Sequence, residues 1–583
     1  RCLNMSKSII EHAPDRVDNA NQTICSFIDS IKSSADLYVK LTDNGKSNVS
    51  GLGNRFYSKG VEEFFLEKRV PIPPELFQEM DHMRSHLTIG LFPEVKRAYV
   101  TIDCDIYLWS YEADADLAVF DGVPNTILKL CLAKPRPGVF QPHITHVLVV
   151  GTVSDIMLFG ITNGVEEGLS LIPDPLFKVG LDGQMVRTIV STESGRIFFT
   201  AKDVLYEFEY QEKGWLGRSC KKVDKSTTFF NSITSYIKPV VDGIEEVVVD
   251  STRNILYALT TKSSIQVFDL GVKGDECMKT VTLSVGQIMH EASSMTQGQH
   301  EASFFSTIVS LSPIPSSQSY RVNLVAVTSK GVRLYFSCLS KPPVSQQTYL
   351  DSSPSQWMSM EECRPVCLRL LHVRLSPGIC PSSLYSQAPQ GVYAAQVDST
   401  LSVMTTAGRD TVFALSNLYH PLQDVETMNE LNIDGHVWAM SSERERKLGM
   451  SVAPNGAIPP LSPHPFFTQQ YTQDEQLLLF TNNALYVFVH RSPVDTLRAA
   501  LAEKGRGEGE AVMELCSSLG SVNSLVMIIS ILASDASSDI SLKDKAARLL
   551  FGLRDESEMV DSHTMRMVSP GEKSLAEWQN KMR

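Results

Sequence analysis

The stretch Gly274–Thr280, GDECMKT, is this sequence's nearest approach to a phosphate-binding loop. Such a loop needs two glycines and a Lys-Thr or Lys-Ser pair at fixed spacing, so that backbone N–H groups can cradle phosphate. Lys273 and Met278 stand where those glycines belong, so the cradle cannot form. Two histidine pairs, His82/His86 and His143/His146, lie near expected strand starts, with Asp81 beside the first. No cysteine set completes a ligand cluster there, and structural or surface histidines are the plainer reading. Asp103-Cys104-Asp105 and Asp114/Asp116 read as solvated acidic turns. Neither a G-x-S-x-G elbow nor an H-E-x-x-H helix occurs. The expectation is a chain with no catalytic residue, no cofactor and no metal.

The 11 cysteines contain no C-x-x-C pair, and the closest two are Cys363 and Cys367. Reduced intracellular thiols fit this pattern. Sequons begin at Asn4, Asn21 and Asn48, but no secretory signal precedes them. No apolar run approaches the ~20 residues of a spanning helix. A net charge of −13 argues against nucleic acid as the main partner. The chain starts at Arg1 rather than Met, which reads as a fragment.

What must position any site is a hairpin written seven times. The segments start at Arg97 (RAYVTIDCDIYLWSYE), His146, Gly195, Asn254 (NILYALTTKSSIQVFDL), Arg321, Gly391 and Glu475. Each has an apolar strand, a short polar turn and a second apolar or aromatic strand. The starts are 49, 49, 59, 67, 70 and 84 residues apart. One hairpin plus two flanking strands fills this spacing, as in a propeller blade. Hairpins apolar on both strands cannot bury themselves alone, whereas radial stacking covers both faces. A β-sandwich is the alternative, but it gives no reason for seven similar hairpins. The W-D blade signature is absent: Trp109, Trp215, Trp357 and Trp438 are never followed by Asp. The fold expected is mainly β with α: a seven-bladed propeller after a short helical extension and before the start of an α-helical solenoid.

The expected domains are an extension over 1–80, the propeller over 81–490 and helices over 491–583. In the extension, Ile24, Phe27, Ile28, Ile31, Ala35 and Tyr38 form one helical stripe, with Asn21 or Asp18 as cap. LTDNGKSNVSGLGNRF, from Leu41, reads as a linker, and Pro71-Ile72-Pro73-Pro74 ends the extension stiffly. After the ring, Ser492-Pro493 opens a helix with Val494, Leu497 and Leu501. Further stripes run through Val512–Leu519 and Val522–Ala533, and Ser541-x-x-Asp544 opens a last helix.

At this point PIPPELFQEMDHM (Pro71–Met83), YVTIDCDIYLWSYE (Tyr99–Glu112) and FQPHITHVLVVGT (Phe140–Thr152) resemble the 155-kilodalton nucleoporin family of the nuclear pore inner ring. So do LIPDPLF (Leu171–Phe177), DSTRNILY (Asp250–Tyr257), AVTSKGVRLYFS (Ala326–Ser337) and DGHVWAM (Asp434–Met440). The resemblance implies a scaffold role in nucleocytoplasmic transport. It implies other inner-ring and linker nucleoporins as partners, a place at the nuclear envelope, and peripheral membrane contact. A peptide-binding propeller-solenoid of a vesicle coat is the alternative.

Thr282–Ser306 is expected to be a long exposed loop between blades that can become a membrane-binding helix. It has no Lys or Arg, and its membrane-contact candidates are Ile288, Met289, Met295, Phe304 and Phe305. The competing reading is a loop with a few buried anchors, because Gly298 breaks the stripe and the two Phe lie off the Ile288 face.

Overall fold

A computed structural model describes residues 36–551, apart from 43–45, 53–55, 59–60, 113–116, 165–167, 215–216, 227–241, 340–358, 379–390, 408–410, 422, 443–457, 459–460, 470–473, 503–507 and 534–539. The strand Ile255–Thr260 shows how the repeats fold. All six of its residues are buried. Ile255, Tyr257 and Leu259 pack with Leu324, Ala326, Leu334 and Phe336 of the following repeat. Leu256 and Ala258 pack with Phe198 and Leu205 of the preceding one. Successive side chains leave a strand on opposite faces, so a strand apolar at every position is sandwiched between neighbours.

The same arrangement recurs around the molecule in seven antiparallel sheets. They are blades 1 to 7, with inner strands Leu87–Phe92, Ile127–Ala133, Val186–Ser191, Ile244–Asp250, Ile308–Pro313, Val392–Val397 and Val437–Ser442. Seven apolar clusters fill the seven seams between blades. The expected seven-bladed propeller is therefore present. Six of the seven predicted hairpins are the second and third strands of their blades. The hairpin from Gly391 is instead the first and second strands of blade 6, Val392–Val397 and Leu401–Thr406.

Blade 7 is completed by the N-terminal part of the chain. β3 (Phe64–Pro71) pairs antiparallel with Ala484–His490 as its outer strand. The ring therefore takes in residues well before the expected boundary at 81. Glu63 and His490, 427 residues apart, meet at 2.9 Å beside the ring of Phe64, which stacks on His490 at 4.3 Å. Ile72 is buried, and α2 (Pro74–Asp81) adds buried Leu76 to the seam of blades 7 and 1.

The stretch expected as a linker is also built into the ring. β1 (Val49–Ser50) pairs in parallel with the outer strand of blade 5, and β2 (Tyr57–Ser58) with that of blade 6. Gly51, at φ +84°, lies so close to Leu375 that a Cβ would stand 2.3 Å from its carbonyl oxygen. Only glycine fits that approach. Ahead of them α1 (Leu37–Thr42) starts at Leu37, with Asp36 as cap accepting from the Tyr38 N–H at 2.8 Å. Tyr38 therefore begins a separate helix instead of ending the stripe from Ile24, whose earlier residues lie outside the described ones.

After the ring come α4 (Pro493–Ala502), α5 (Glu508–Ala533) and α6 (Ile540–Phe551). Ser492 caps α4, accepting from the Asp495 N–H at 3.2 Å. Gly520 (φ 76°) breaks the helical run within α5, so the two expected stripes lie on two helices that meet at this glycine. The last helix begins at Ile540, which places Ser541 inside it rather than before it. These helices pack on Leu418, Tyr419 and Phe466 at the foot of the ring.

A chain beginning at residue 81 should be less stable than one beginning at residue 61. The missing β3 and α2 bury Phe64, Ile72 and Leu76, worth more than about 5 kcal/mol together. Urea denaturation of the two chains checks this, and equal midpoints would contradict the closure by β3.

Candidate interaction surface

One end of the propeller, where the inner strands begin, is irregular in a repeated way. In six of the seven blades the inner strand skips one residue against its partner, at Leu128, Arg187, Glu245, Val309, Tyr393 and Trp438. Such a bulge leaves its extra residue unpaired and re-aims its side chain. Tyr393 uses this to hold two blades together. Its hydroxyl accepts from the Val437 N–H at 2.9 Å and donates to the Val437 carbonyl at 3.2 Å, and its ring stacks on His436 at 4.2 Å. Trp438 is 49% exposed, and Met185, Phe77 and Met83 are exposed on the connections leading into this same end. Exposed apolar side chains gathered at one end are the physical candidates for peptide docking.

Below this mouth the inner strands are joined side chain to backbone. Glu246 accepts from the Leu311 N–H at 2.9 Å, Ser310 from the Ala395 N–H at 3.2 Å, and Ser312 from the Val397 N–H at 3.0 Å. Burial pushes the Glu246 carboxyl up to about 7; the Leu311 N–H opposes this and neighbouring Glu245 adds to it.

Three consecutive seams hold buried arginines. Arg196 pairs with Glu207 in blade 3 and donates across to the carbonyls of Gly274 and Glu276, at 2.8 and 2.6 Å. Arg253 pairs with Asp250 at 2.7 Å and reaches the carbonyls of Ile314 and Ser319 in blade 5. Arg333 of blade 5 binds Glu426 of blade 6 with two hydrogen bonds, at 2.7 and 2.6 Å, and Ser402 at 2.6 Å. Arg374 joins Asp424 and Glu426 and lies over the ring of Tyr57. Burial opposes ionisation of Glu426, yet the two guanidiniums hold its carboxyl below the usual range. His372, bonded to Ser50 at 2.7 Å, is pushed down to about 3 by burial and the nearby arginines, and so stays neutral. β1 and β2 seal this network. Sequence reasoning missed it, although the arginines within apolar VRLYF and LHVRL were a usable signal.

The membrane-contact candidates lie elsewhere than expected. α3 (Val285–Met295) is a formed helix, started by a reciprocal cap between Ser284 and Gln287. Its Ile288, and Phe305 from the short turn Ala302–Phe305, are fully buried in the seam of blades 4 and 5. Met289, Met295 and Phe304 are partly buried against the same cluster. Glu291 accepts from the Leu370 N–H at 3.3 Å. The structure thus corrects the expected exposed loop: its stripe faces a blade, because that apolar seat lies directly beside it.

The residues first considered for chemistry serve the fold. In GDECMKT the Gly274 and Glu276 N–H groups bond Gly271 and Leu270, and their carbonyls receive Arg196. Asp103, at φ 53°, accepts from the N–H groups of Arg84, Ser85 and His86 at 2.7 to 3.0 Å. Desolvation opposes its ionisation, but those three donors hold its carboxyl below the usual value. Among the described residues no group of three or more His, Cys, Asp or Glu could hold a metal ion. The described cysteines are free thiols, and burial pushes Cys338 up to about 12 and Cys363 up to about 11. Asp114 and Asp116 lie outside the described residues.

Residues 62–489 match the family model described as Nup133 N terminal like. The chain is 28% identical over 549 residues to nuclear pore complex protein Nup154 of Drosophila melanogaster, covering 88% of this chain and 39% of that protein. It is 28% identical over 482 residues to a probable nucleoporin of Schizosaccharomyces pombe, covering 76% of this chain and 36% of that one. The chain therefore spans less than two fifths of these relatives. A crystal structure of the Chaetomium thermophilum Nup170 NTD-Nup53 complex superposes with a TM-score of 0.72 at 22% identity, covering 91% of this chain and 76% of that one. The two share a fold.

Two outcomes follow from the geometry. Ile288→Asp should cost at least about 3 kcal/mol of stability by placing a charge in a filled seam. A thermal melt in the absence of lipid checks it; an unshifted melt would return Ile288 to the surface. Glu246 keeps its proton to about pH 7 when folded, against an ordinary value of 4.5. Stability from this group is full below pH 4.5 and falls as pH rises through 7, on the order of 3 kcal/mol in all. Glu246→Gln should flatten that fall in denaturant midpoints taken from pH 4.5 to 8.

Proposed function

The chain belongs to the nucleoporin family that the Nup133 N-terminal-like model describes, and from that premise we propose that it is a structural scaffold component of the nuclear pore complex. The observation that carries this is the extent of the match. Residues 62–489 take in the ring from β3 to its partner strand Ala484–His490, leaving only the added strands β1 and β2 ahead of the match. The reading places the chain at the nuclear envelope, in support of protein and RNA transport.

Its partners in this reading are other inner-ring and linker nucleoporins. The Nup170 domain of similar fold was solved with Nup53, which supports another nucleoporin as ligand. The exposed Trp438, Phe77, Met83 and Met185 at one end of the ring are where such a partner would find apolar contact. The net charge of −13 favours protein over nucleic acid. The arginines, histidines and carboxylates described above are engaged in holding seams, which supports a non-catalytic role. Peripheral membrane contact belongs to the same proposal. Through the stripe of α3 it would require the helix to leave its seat between blades 4 and 5. The nucleoporin match favours a pore over a vesicle coat.

A fluorescent tag at the native locus should give a punctate nuclear rim, and capture from nuclear-envelope extract should recover other nucleoporins. Cytoplasmic vesicle puncta with coat subunits in the capture would replace this reading.

A further inference from the structure

Val272, Met278 and Val366 are exposed apolar residues, and Met278 and Val366 are 57% and 61% exposed. They gather on the seam of blades 4 and 5, at the end opposite the channel mouth with Trp438. Met278 opposes Asp269 on the neighbouring strand. Asp269 accepts from Arg364 at 2.5 Å, and Val366 stands two residues further on. Val272 sits in the turn that leads from Asp269 to Met278, where its carbonyl receives Asn254 at 3.1 Å. The outer strands of blades 5 and 6 each carry an added strand, β1 and β2. The outer strand of blade 4, Met278–Leu283, has no such cover among the described residues.

The described chain enters beside this patch. Arg364 donates to the Arg253 carbonyl, Arg253 donates to the Ser319 carbonyl, and the Ser319 hydroxyl donates to Asp36. Three hydrogen-bonding steps thus link Asp36 to the residue beside the patch. The Leu37 N–H donates to Gln318 at 3.1 Å, and Asp36 also accepts from the Tyr320 N–H at 3.0 Å. Tyr320 packs on Leu339, Met360 and Cys363, and Cys363 adjoins Arg364. The end of whatever precedes Asp36 is therefore fixed at this corner.

What precedes it in sequence carries an apolar stripe. Ile24, Phe27, Ile28 and Ile31 fall on one helical face, with Ser26, Asp29, Ser30 and Lys32 on the others. We propose that residues 18–35 dock this stripe on Val272, Met278 and Val366, so that the chain meets blade 4 before β1 and β2 add to blades 5 and 6. Eighteen residues in a helix reach about 27 Å, enough to run from Asp36 across one blade edge. The occupant is this chain's own N-terminal segment because the residue that follows it, Asp36, is tied down beside the patch. A second copy would have to displace a tethered stripe.

Hydrogen exchange on the full 583-residue chain tests this. With Phe27→Asp and Ile31→Asp together, amides in 270–279 and 364–370 should exchange about tenfold faster, and those of blades 1 and 2 should not change. Met278→Asp with Val366→Asp should reciprocally speed exchange in residues 18–35. A photo-crosslinking residue at Phe27 in the otherwise unaltered chain should join to 270–279 or 360–369, which covers the case of a misfolded variant. Crosslinks elsewhere, unchanged exchange in both variants, or protection that appears only at high protein concentration or with vesicles would each overturn the proposal. The last two would assign the patch to a second copy or to lipid.

Discussion

A β-sheet that is apolar on both faces needs a neighbour on each side, and a finite stack always leaves two faces bare. The strand Ile255–Thr260, buried at all six positions, states this requirement in one place. Only a closed ring meets it for every blade at once. The rest of the architecture follows from closure. The N-terminal part of the chain must travel to the end of the ring, and β3 supplies the strand that blade 7 lacks. Around that join the chemistry is unusually varied for so short a stretch. Phe64 stacks on His490, the Arg491 guanidinium sits 3.7 Å from the Phe65 ring centre, and Glu63 meets His490 out of solvent.

Apolar burial alone would let one blade face pack on several others. The buried arginines remove that freedom. Arg196, Arg253 and Arg333 each reach across a different seam to a different set of acceptors. A planar guanidinium has a fixed fork of donors, so it discriminates between acceptor geometries where methyl groups do not. The removal of one partner from such a pair leaves a buried charge uncompensated. These residues thus act on which blade meets which more than on the depth of the folded state.

Hairpin strands were legible in the sequence because apolar runs recur on either side of a short polar turn. The Gly391 hairpin was placed one strand out, since the first and second strands of blade 6 are as apolar as the second and third. β1 and β2 were illegible for a different reason. Two-residue strands have no period, and polar Asn-Gly-Lys-Ser text around them resembles any linker. Their hold comes from Tyr57, Ser50 and the arginines beneath, which lie hundreds of residues away in sequence. The stripe of α3 was visible, but a stripe does not say whether lipid or another blade will cover it. That depended on the open seat between blades 4 and 5, which no local pattern encodes.

Placing the ring's last outer strand near the beginning of the chain also sets an order of events on the ribosome. β3 emerges early, while its partner strand Ala484–His490 follows more than four hundred residues later. At roughly 5–20 residues per second, about 20 to 80 seconds of translation separate the two. Through that interval the inward face of Phe64 and the growing edge of the newest blade both lack their partners. A nascent chain of this design depends on something else to shield an unpaired strand edge, and a ribosome stalled before residue 484 would hold an arc that no amount of waiting can close.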